Sequence, residues 1–154
     1  MLKNVLKFLG IGLGIVALGV GALFGIRYLQ YRNSPEYQAL AEMKKLEKAY
    51  AQDPYGGETP EETLRLFIDA LKKGDTDLAA KYFVLDAQPE WVEGLKKIKE
   101  KELLDEMVKD LERTKPYRSQ AENQIFFTVG NENGEAITTI DLVKIYGRWK
   151  IRDL

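Results

Sequence analysis

Residues 59–83 read TPEETLRLFIDALKKGDTDLAAKYF, and this stretch defines the helical half of the fold. Thr59 predicts a helix N-cap, Pro60 fits the first helical position, and Glu62 can complete a capping box. Apolar residues then recur at helical spacing as far as Gly74, which is typical of a helix end. The stretch therefore predicts an amphipathic helix whose apolar face packs on a core.

Further helices are predicted between this helix and the first strand. Asp75 predicts the cap of a short second helix, whose inward side carries Tyr82 and Phe83. Pro89 opens a longer helical stretch with apolar residues at helical spacing, and Lys115-Pro116 ends it. We therefore expect three to four helices before the strands begin.

After Pro116 the apolar period changes from helical to alternating, which predicts β-strands. Residues 125–129 (IFFTV) and 137–145 (ITTIDLVKI) alternate, and Asn133-Gly134 between them is a hairpin turn signal. Tyr146-Gly147 predicts a second tight turn before the last strand. Because helices precede strands, we expect an α+β domain in which three to four helices pack on a C-terminal, antiparallel, three-stranded sheet.

The amino-terminal part of the chain contains an uncharged run of nineteen residues, Phe8 to Ile26. A helix of that length spans roughly 28 Å, about the thickness of a bilayer's hydrocarbon core. We therefore expect residues 1–33 to be a membrane anchor with its flanks, in contact with the lipid bilayer through residues 8–26. A cleaved signal peptide, with Val20-Gly21-Ala22 as the cleavage site, and a buried helix are the alternatives.

Charge is distributed unevenly along the chain. Residues 1–33 contain Lys3, Lys7, Arg27 and Arg32 and no acid, which gives +4, so the remainder sums to −5 because the whole chain carries −1. The acidic head argues against nucleic acid as a partner. The early anchor favours a single-pass protein of the cell membrane, with its amino terminus in the cytoplasm and its head outside.

Glycines 10, 14, 21 and 25 form two Gly-x-x-x-Gly pairs within the uncharged run, namely Gly10 with Gly14 and Gly21 with Gly25. This spacing lets two membrane helices approach closely. It favours an oligomer, or docking into a larger membrane assembly, as an alternative to a lone tether. Chance spacing in a glycine-rich run is the other interpretation.

Residues 34–50 are predicted to form an amphipathic helix that begins with Ser34 and Pro35. Its narrow apolar stripe consists of Leu40, Met43, Leu46 and Tyr50. The stripe fits a stalk resting on the head or the membrane, or a short coiled-coil contact with a partner. Residues 51–58 (AQDPYGGE) lack an apolar period and are predicted to be a linker to the domain at 59–154.

The chain contains no histidine and no cysteine. The commonest general base, the commonest metal ligand and all thiol chemistry are therefore missing. Asp75-Thr76-Asp77 lacks the remaining ligands of a calcium loop and is explained as a helix cap. We expect no metal, no cofactor and no enzymatic activity. The alternative is a small hydrolase or isomerase that uses a carboxylate in a cavity.

The helix pair at 59–83 resembles the opening of the nuclear-transport-factor-2-like superfamily of cone-shaped α+β domains. It is most similar to bacterial envelope domains of unknown function that share its TPEE, GD and YF elements. Residues 147–154 (GRWKIRDL) are similar to the superfamily's last strand. The resemblance covers residues 59–154. It implies a sheet and helices that can enclose a cavity, which some members use for catalysis or small-ligand binding.

Six residues are candidates to line such a cavity, five aromatic and one acidic. They are Tyr82, Phe83, Trp91, Phe126, Asp141 and Trp149. Aromatic residues at these spacings equally fit an ordinary core, and Asp141 equally fits the water-exposed face of a sheet. The expected function is that of a membrane-anchored, extracytoplasmic, non-enzymatic domain that binds a protein partner or a small ligand.

Overall fold

A computed structural model of the protein describes residues 19–130, 133 and 135–154. The chain divides into two compact units, Met1–Ala49 and Tyr50–Leu154. In the first unit, residues 19–32 are helical (α1). Helix α2 begins at Pro35 in the first unit and ends at Gln52, within the second. The hydroxyl group of Ser34 accepts a hydrogen bond from the backbone N–H of Tyr37 at 3.2 Å, so the predicted cap is confirmed. All described residues of α1 are exposed, and α2 buries none of its side chains.

The prediction of a membrane-spanning helix is wrong for the part of the chain that the structure describes. None of the helices there combines the length and the apolar character that a bilayer crossing requires. Among the described residues, α1 contains Arg27 and Arg32, and α2 carries charges along its length. The expected location in the cell membrane and the expected orientation depended on that helix, so the described residues do not support them. Residues 8–18 lie outside the described residues.

The second unit contains four helices and four strands among its described residues. The helices are α3 (Pro60–Lys72), α4 (Thr76–Ala80), α5 (Gln88–Glu100) and α6 (Leu104–Glu112). The strands are β1 (Lys115–Ala121), β2 (Gln124–Gly130), β3 (Ala136–Ile145) and β4 (Arg148–Asp153). They form one antiparallel sheet in the order β1-β2-β3-β4. The domain is therefore α+β, with helices before strands.

The predicted three-stranded sheet is wrong, because β1 is a fourth strand. Its sequence, KPYRSQA, has no alternating apolar pattern. An edge strand needs none, and polar residues and proline are common there because they discourage pairing with other chains. Pro116 lies near the start of this edge strand, where it was expected only to end a helix.

The starts of α3 and α4 follow the local chemistry of their caps. The side chain of Thr59 accepts a hydrogen bond from the N–H of Glu62 at 3.2 Å, and Glu62 in turn accepts from the N–H of Glu58 at 2.7 Å. Asp75 accepts from the N–H of Leu78 at 2.9 Å and caps α4 as predicted. These bonds satisfy backbone donors that the first helical turn leaves unpaired.

The core lies between the helices and one face of the sheet. Its fully buried members include Phe67 and Leu95 from the helices and Ile140, Leu142 and Ile151 from the strands. The turn predicted at Tyr146-Gly147 is confirmed by positive φ angles of 47° and 85°. Gly134 of the other predicted turn lies outside the described residues.

The segment that precedes α3 packs on β4. The N–H of Trp149 donates a hydrogen bond to the carbonyl of Gly57 at 2.9 Å. Gly56 has a φ of +110°, and a Cβ there would come within 2.4 Å of the carbonyl oxygen of Trp149. Only glycine fits this close backbone approach. The part of the predicted linker nearest α3 is therefore built into the domain.

Candidate functional site: an apolar groove

A groove of about 390 Å³ opens between helices α5 and α6 and strands β2 and β3. Its apolar lining consists of Trp91, Ile98, Leu103, Met107, Leu111, Val129, Ile137 and Leu154. Its polar lining consists of Glu106, Asp110 and Thr138. Mostly apolar walls with a few polar groups are characteristic of small-molecule sites, and this volume lies at the small end of their range, roughly 300 to 1,000 Å³.

The helical wall of the groove depends on a break between α5 and α6. The chain turns at Glu102, whose φ is +61°. The N–H of Leu103 still donates to the carbonyl of Ile98 at 3.0 Å, so the two helices stay close across the break. Leu103 and Met107, one turn apart, therefore face the groove together with Ile98.

The strand wall depends on a β-bulge. Val129 pairs with Thr138, but the next residue, Gly130, pairs with Ala136, so Ile137 is an additional residue in β3. Successive residues of a regular strand point to opposite faces, whereas a bulge re-aims one of them. Both Ile137 and Thr138 line the groove as a result. This explains why Ile137 is 56% exposed in a domain whose other isoleucines are largely covered.

The groove is acidic. Glu106 and Asp110 lie one helical turn apart on α6, and none of the described lining residues is basic. Asp110 accepts a hydrogen bond from the guanidinium group of Arg113 at 2.9 Å. Within the described residues Glu106 has no ion-pair partner, and its side chain is exposed to solvent.

Of the six candidate cavity residues, only Trp91 lines the groove. Its ring stacks on that of Phe83, with centroids 4.1 Å apart and an interplanar angle of 19°. Phe83 is fully buried and meets Phe67 edge to face at 5.4 Å. The inner partner of this stack therefore belongs to the core, and Trp91 presents its remaining surface to the groove.

Tyr82 and Trp149 are buried away from the groove. Tyr82 is 7% exposed and packs edge to face against Tyr55, at a centroid distance of 6.3 Å. Burial raises the pKa of the Tyr82 phenol. Trp149 is 8% exposed and holds Gly57 through its backbone N–H. Both residues join the segment before α3 to the domain.

Phe126 and Asp141 lie opposite each other on neighbouring strands, on the sheet face away from the helices. Arg152 donates from its Nε to Asp141 at 2.7 Å, and Gln124 donates to the same carboxylate at 3.1 Å. Asp141 is thus engaged by an ion pair and does not line the groove.

Of the four glycines considered for helix pairing, Gly10 and Gly14 lie outside the described residues, while a Cβ at Gly21 or Gly25 would meet no atom within 4 Å.

A second polar arrangement is buried on β4. The ammonium group of Lys150 lies 2.6 Å from the Asp53 carboxylate, and the two side chains are 2% and 6% exposed. The same ammonium group donates to the carbonyl of Lys81 at 2.9 Å. Burial lowers the pKa of Lys150, and the nearby Asp53 carboxylate partly opposes this shift. Because the pair is largely shielded from solvent, it joins parts of the domain rather than meeting a substrate.

Ten of the eleven groove residues, Met107, Ile137 and Glu106 among them, were not candidates from the sequence. A signal was present for α6, where apolar residues cover a wider arc than contact with one core requires. Leu104, Val108 and Leu111 are buried, while Leu103 and Met107 lie beside them on a second side. No sequence signal marked Ile137, because the bulge depends on pairing with β2.

The fold and the groove define a class: small α+β domains in which a helix pair and an antiparallel sheet form a partly open, mostly apolar groove. The chain belongs to the family described as Domain of unknown function (DUF4878), whose family model matches residues 54–152. The match begins in the segment that packs on β4 and ends within β4 itself. The chain has no significant match among curated proteins or among solved structures.

Proposed function

We propose that this domain is a non-enzymatic binding module that holds the apolar part of a small ligand in the groove between α5, α6 and the sheet. The groove itself carries the proposal, because it combines an apolar lining with a few polar groups at a volume suited to a small molecule. The resemblance to nuclear-transport-factor-2-like domains supports it, since some members of that superfamily bind small ligands in a cavity enclosed by the sheet and the helices.

The positions of the acidic residues favour binding over catalysis. The sequence offers no histidine as a general base. Asp141, the acid considered for a cavity, is held by Arg152 and Gln124 outside the groove. Asp110 in the groove is held by Arg113, and Glu106, the other groove acid, is exposed to solvent rather than enclosed in a cavity.

Two neighbouring threonines provide a matched test of the groove. Thr138 lines it, whereas Thr139 is the next residue of the same strand and does not, and both are exposed. We expect Thr138→Phe to fill the groove and to weaken binding of the neutral dye N-phenyl-1-naphthylamine by at least about tenfold, or about 1.4 kcal/mol. Thr139→Phe adds the same ring and should bind like the wild type.

The dye is titrated into the full-length wild-type protein and into both full-length variants, and its fluorescence is measured. Apolar side chains exposed on α1, such as Phe24 at 73%, offer the dye a second place to bind. Only the difference between the two variants therefore reports on the groove. Equal dye binding by the Thr138→Phe and Thr139→Phe variants would overturn the proposal.

A further inference from the structure

We infer that the ligand of the groove carries a cationic group beside its apolar part. The inference rests on the proposed function and adds the chemical class of the ligand. The occupant is a small amphiphile with an ammonium group, such as an alkyl or aryl amine.

The charges on the groove wall point to a cation. Glu106 and Asp110 project from α6 at positions four residues apart, which places both carboxylates on one side of the helix. The described lining contains no lysine or arginine that could hold an anion. A carboxylate or phosphate on the ligand would meet two acids in the described lining, one of which is already paired with Arg113.

The two acids are not equivalent. The guanidinium group of Arg113 offsets the charge of Asp110, at a distance of 2.9 Å. Glu106 has no such partner within the described residues and lies beside Met107 on the groove wall. The net charge at this end of the groove is therefore negative and is centred on Glu106.

The size of the effect follows from exposure. Glu106 is exposed, so water screens its interaction with a ligand ammonium group. Exposed ion pairs contribute little, and a fivefold change in affinity corresponds to about 1 kcal/mol. We therefore expect a preference of about fivefold for a cation over a neutral molecule of the same shape, with an anion bound more weakly still.

Three probes with the same chain separate charge from apolar contact: decylamine, decanol and decanoate. Each displaces N-phenyl-1-naphthylamine from the full-length protein, at concentrations below micelle formation. The dye fluorescence that the wild type shows and Thr138→Phe lacks is assigned to dye bound in the groove. Decylamine should displace this dye at about one fifth of the decanol concentration, decanoate should need more than decanol, and added salt should reduce the differences.

Neighbouring acids on α6 supply the control. Glu106→Gln should bring decylamine to within about twofold of decanol, because it removes the charge without changing shape. Asp105→Asn changes the net charge equally at an exposed residue that does not line the groove, and it should leave the preference intact.

The outcomes distinguish the two proposals. If the Thr138→Phe and Thr139→Phe variants bind the dye equally, the proposed function fails. If the dye binds the groove but decylamine does not displace it, the proposed function stands and the inferred ligand class is wrong. If the groove binds all three probes equally, or prefers decanoate, the proposed function stands and the inferred ligand class is wrong. A decylamine preference that survives Glu106→Gln combined with Asp110→Asn would also refute the inference, because the charge would then act from elsewhere.

Discussion

The buried ion pair between Lys150 and Asp53 permits a sharp test of how the domain is held together. Lys150→Met keeps most of the side-chain length and removes the ammonium group. The Asp53 carboxylate, whose side chain is 6% exposed, then loses the partner that lies 2.6 Å away. The carbonyl of Lys81 also loses a donor, at 2.9 Å. That carbonyl still accepts a hydrogen bond from the Gln88 side chain at 3.2 Å, so the main consequence is a buried carboxylate that has lost its cation.

The expected cost can be estimated from these contacts. Removing one partner of a buried ion pair typically costs about 3 to 5 kcal/mol. Asp53 retains a hydrogen bond from the N–H of Tyr55 at 2.9 Å, so the lower end of that range applies. A loss of about 3 kcal/mol is a large fraction of the 5 to 15 kcal/mol that stabilises a typical domain. Adding Asp53→Asn to Lys150→Met should recover most of the loss, because the amide keeps the Tyr55 bond and carries no charge.

Urea unfolding followed by tryptophan fluorescence gives the free energy of unfolding of the wild type, the single variant and the double variant, because Trp91 and Trp149 both belong to the domain. With a denaturant dependence of about 1 to 3 kcal/mol per molar urea, the midpoint should fall by about 1 to 3 M in Lys150→Met. Lys144→Met removes an exposed lysine from β3 and should change the free energy of unfolding by less than about 0.5 kcal/mol. The reasoning is refuted if Lys150→Met matches this control, or if the double variant is as unstable as the single one.

Three further predictions concern the same domain. Burial lowers the pKa of Lys150 below 10.5, so the unfolded state binds more protons between the folded pKa and 10.5. The free energy of unfolding should therefore rise with pH in that window, relative to Lys150→Met, and urea midpoints that move in parallel would contradict this. Gly56→Ala should destabilise the domain by about 2 kcal/mol through its positive φ and the close Trp149 carbonyl. Gly94→Ala in α5, where a Cβ meets nothing within 4 Å, should instead stabilise the domain by about 0.5 to 1 kcal/mol. If Gly56→Ala and Gly94→Ala destabilised the domain equally, the backbone of Gly56 would not be the cause. Thr59→Ala should cost about 1 kcal/mol by removing the cap of α3, and thermal unfolding unchanged from the wild type would show that the cap is dispensable.

Three expectations from the sequence differ from the structure: the number of strands, the set of cavity residues and the membrane-spanning helix. β1 was missed because an edge strand with both polar residues and proline carries no alternating signal. The six candidate cavity residues were chosen as aromatic or acidic residues, yet Asp141 faces away from the helices and Phe83 is core. The membrane prediction rested on the uncharged run at residues 8–26, whereas none of the described helices is long and apolar enough to cross a bilayer.

The helix caps, the turn at Tyr146-Gly147 and the order of helices before strands could be predicted because each depends on residues a few positions apart. The long-range features could not. Lys150 follows an inward tryptophan on β4 and by alternation should face water, but the Asp53 segment covers it. The groove exists because a break between α5 and α6 meets a bulge at Ile137. Such sites depend on which distant segments become neighbours, and only packing of the whole chain decides that.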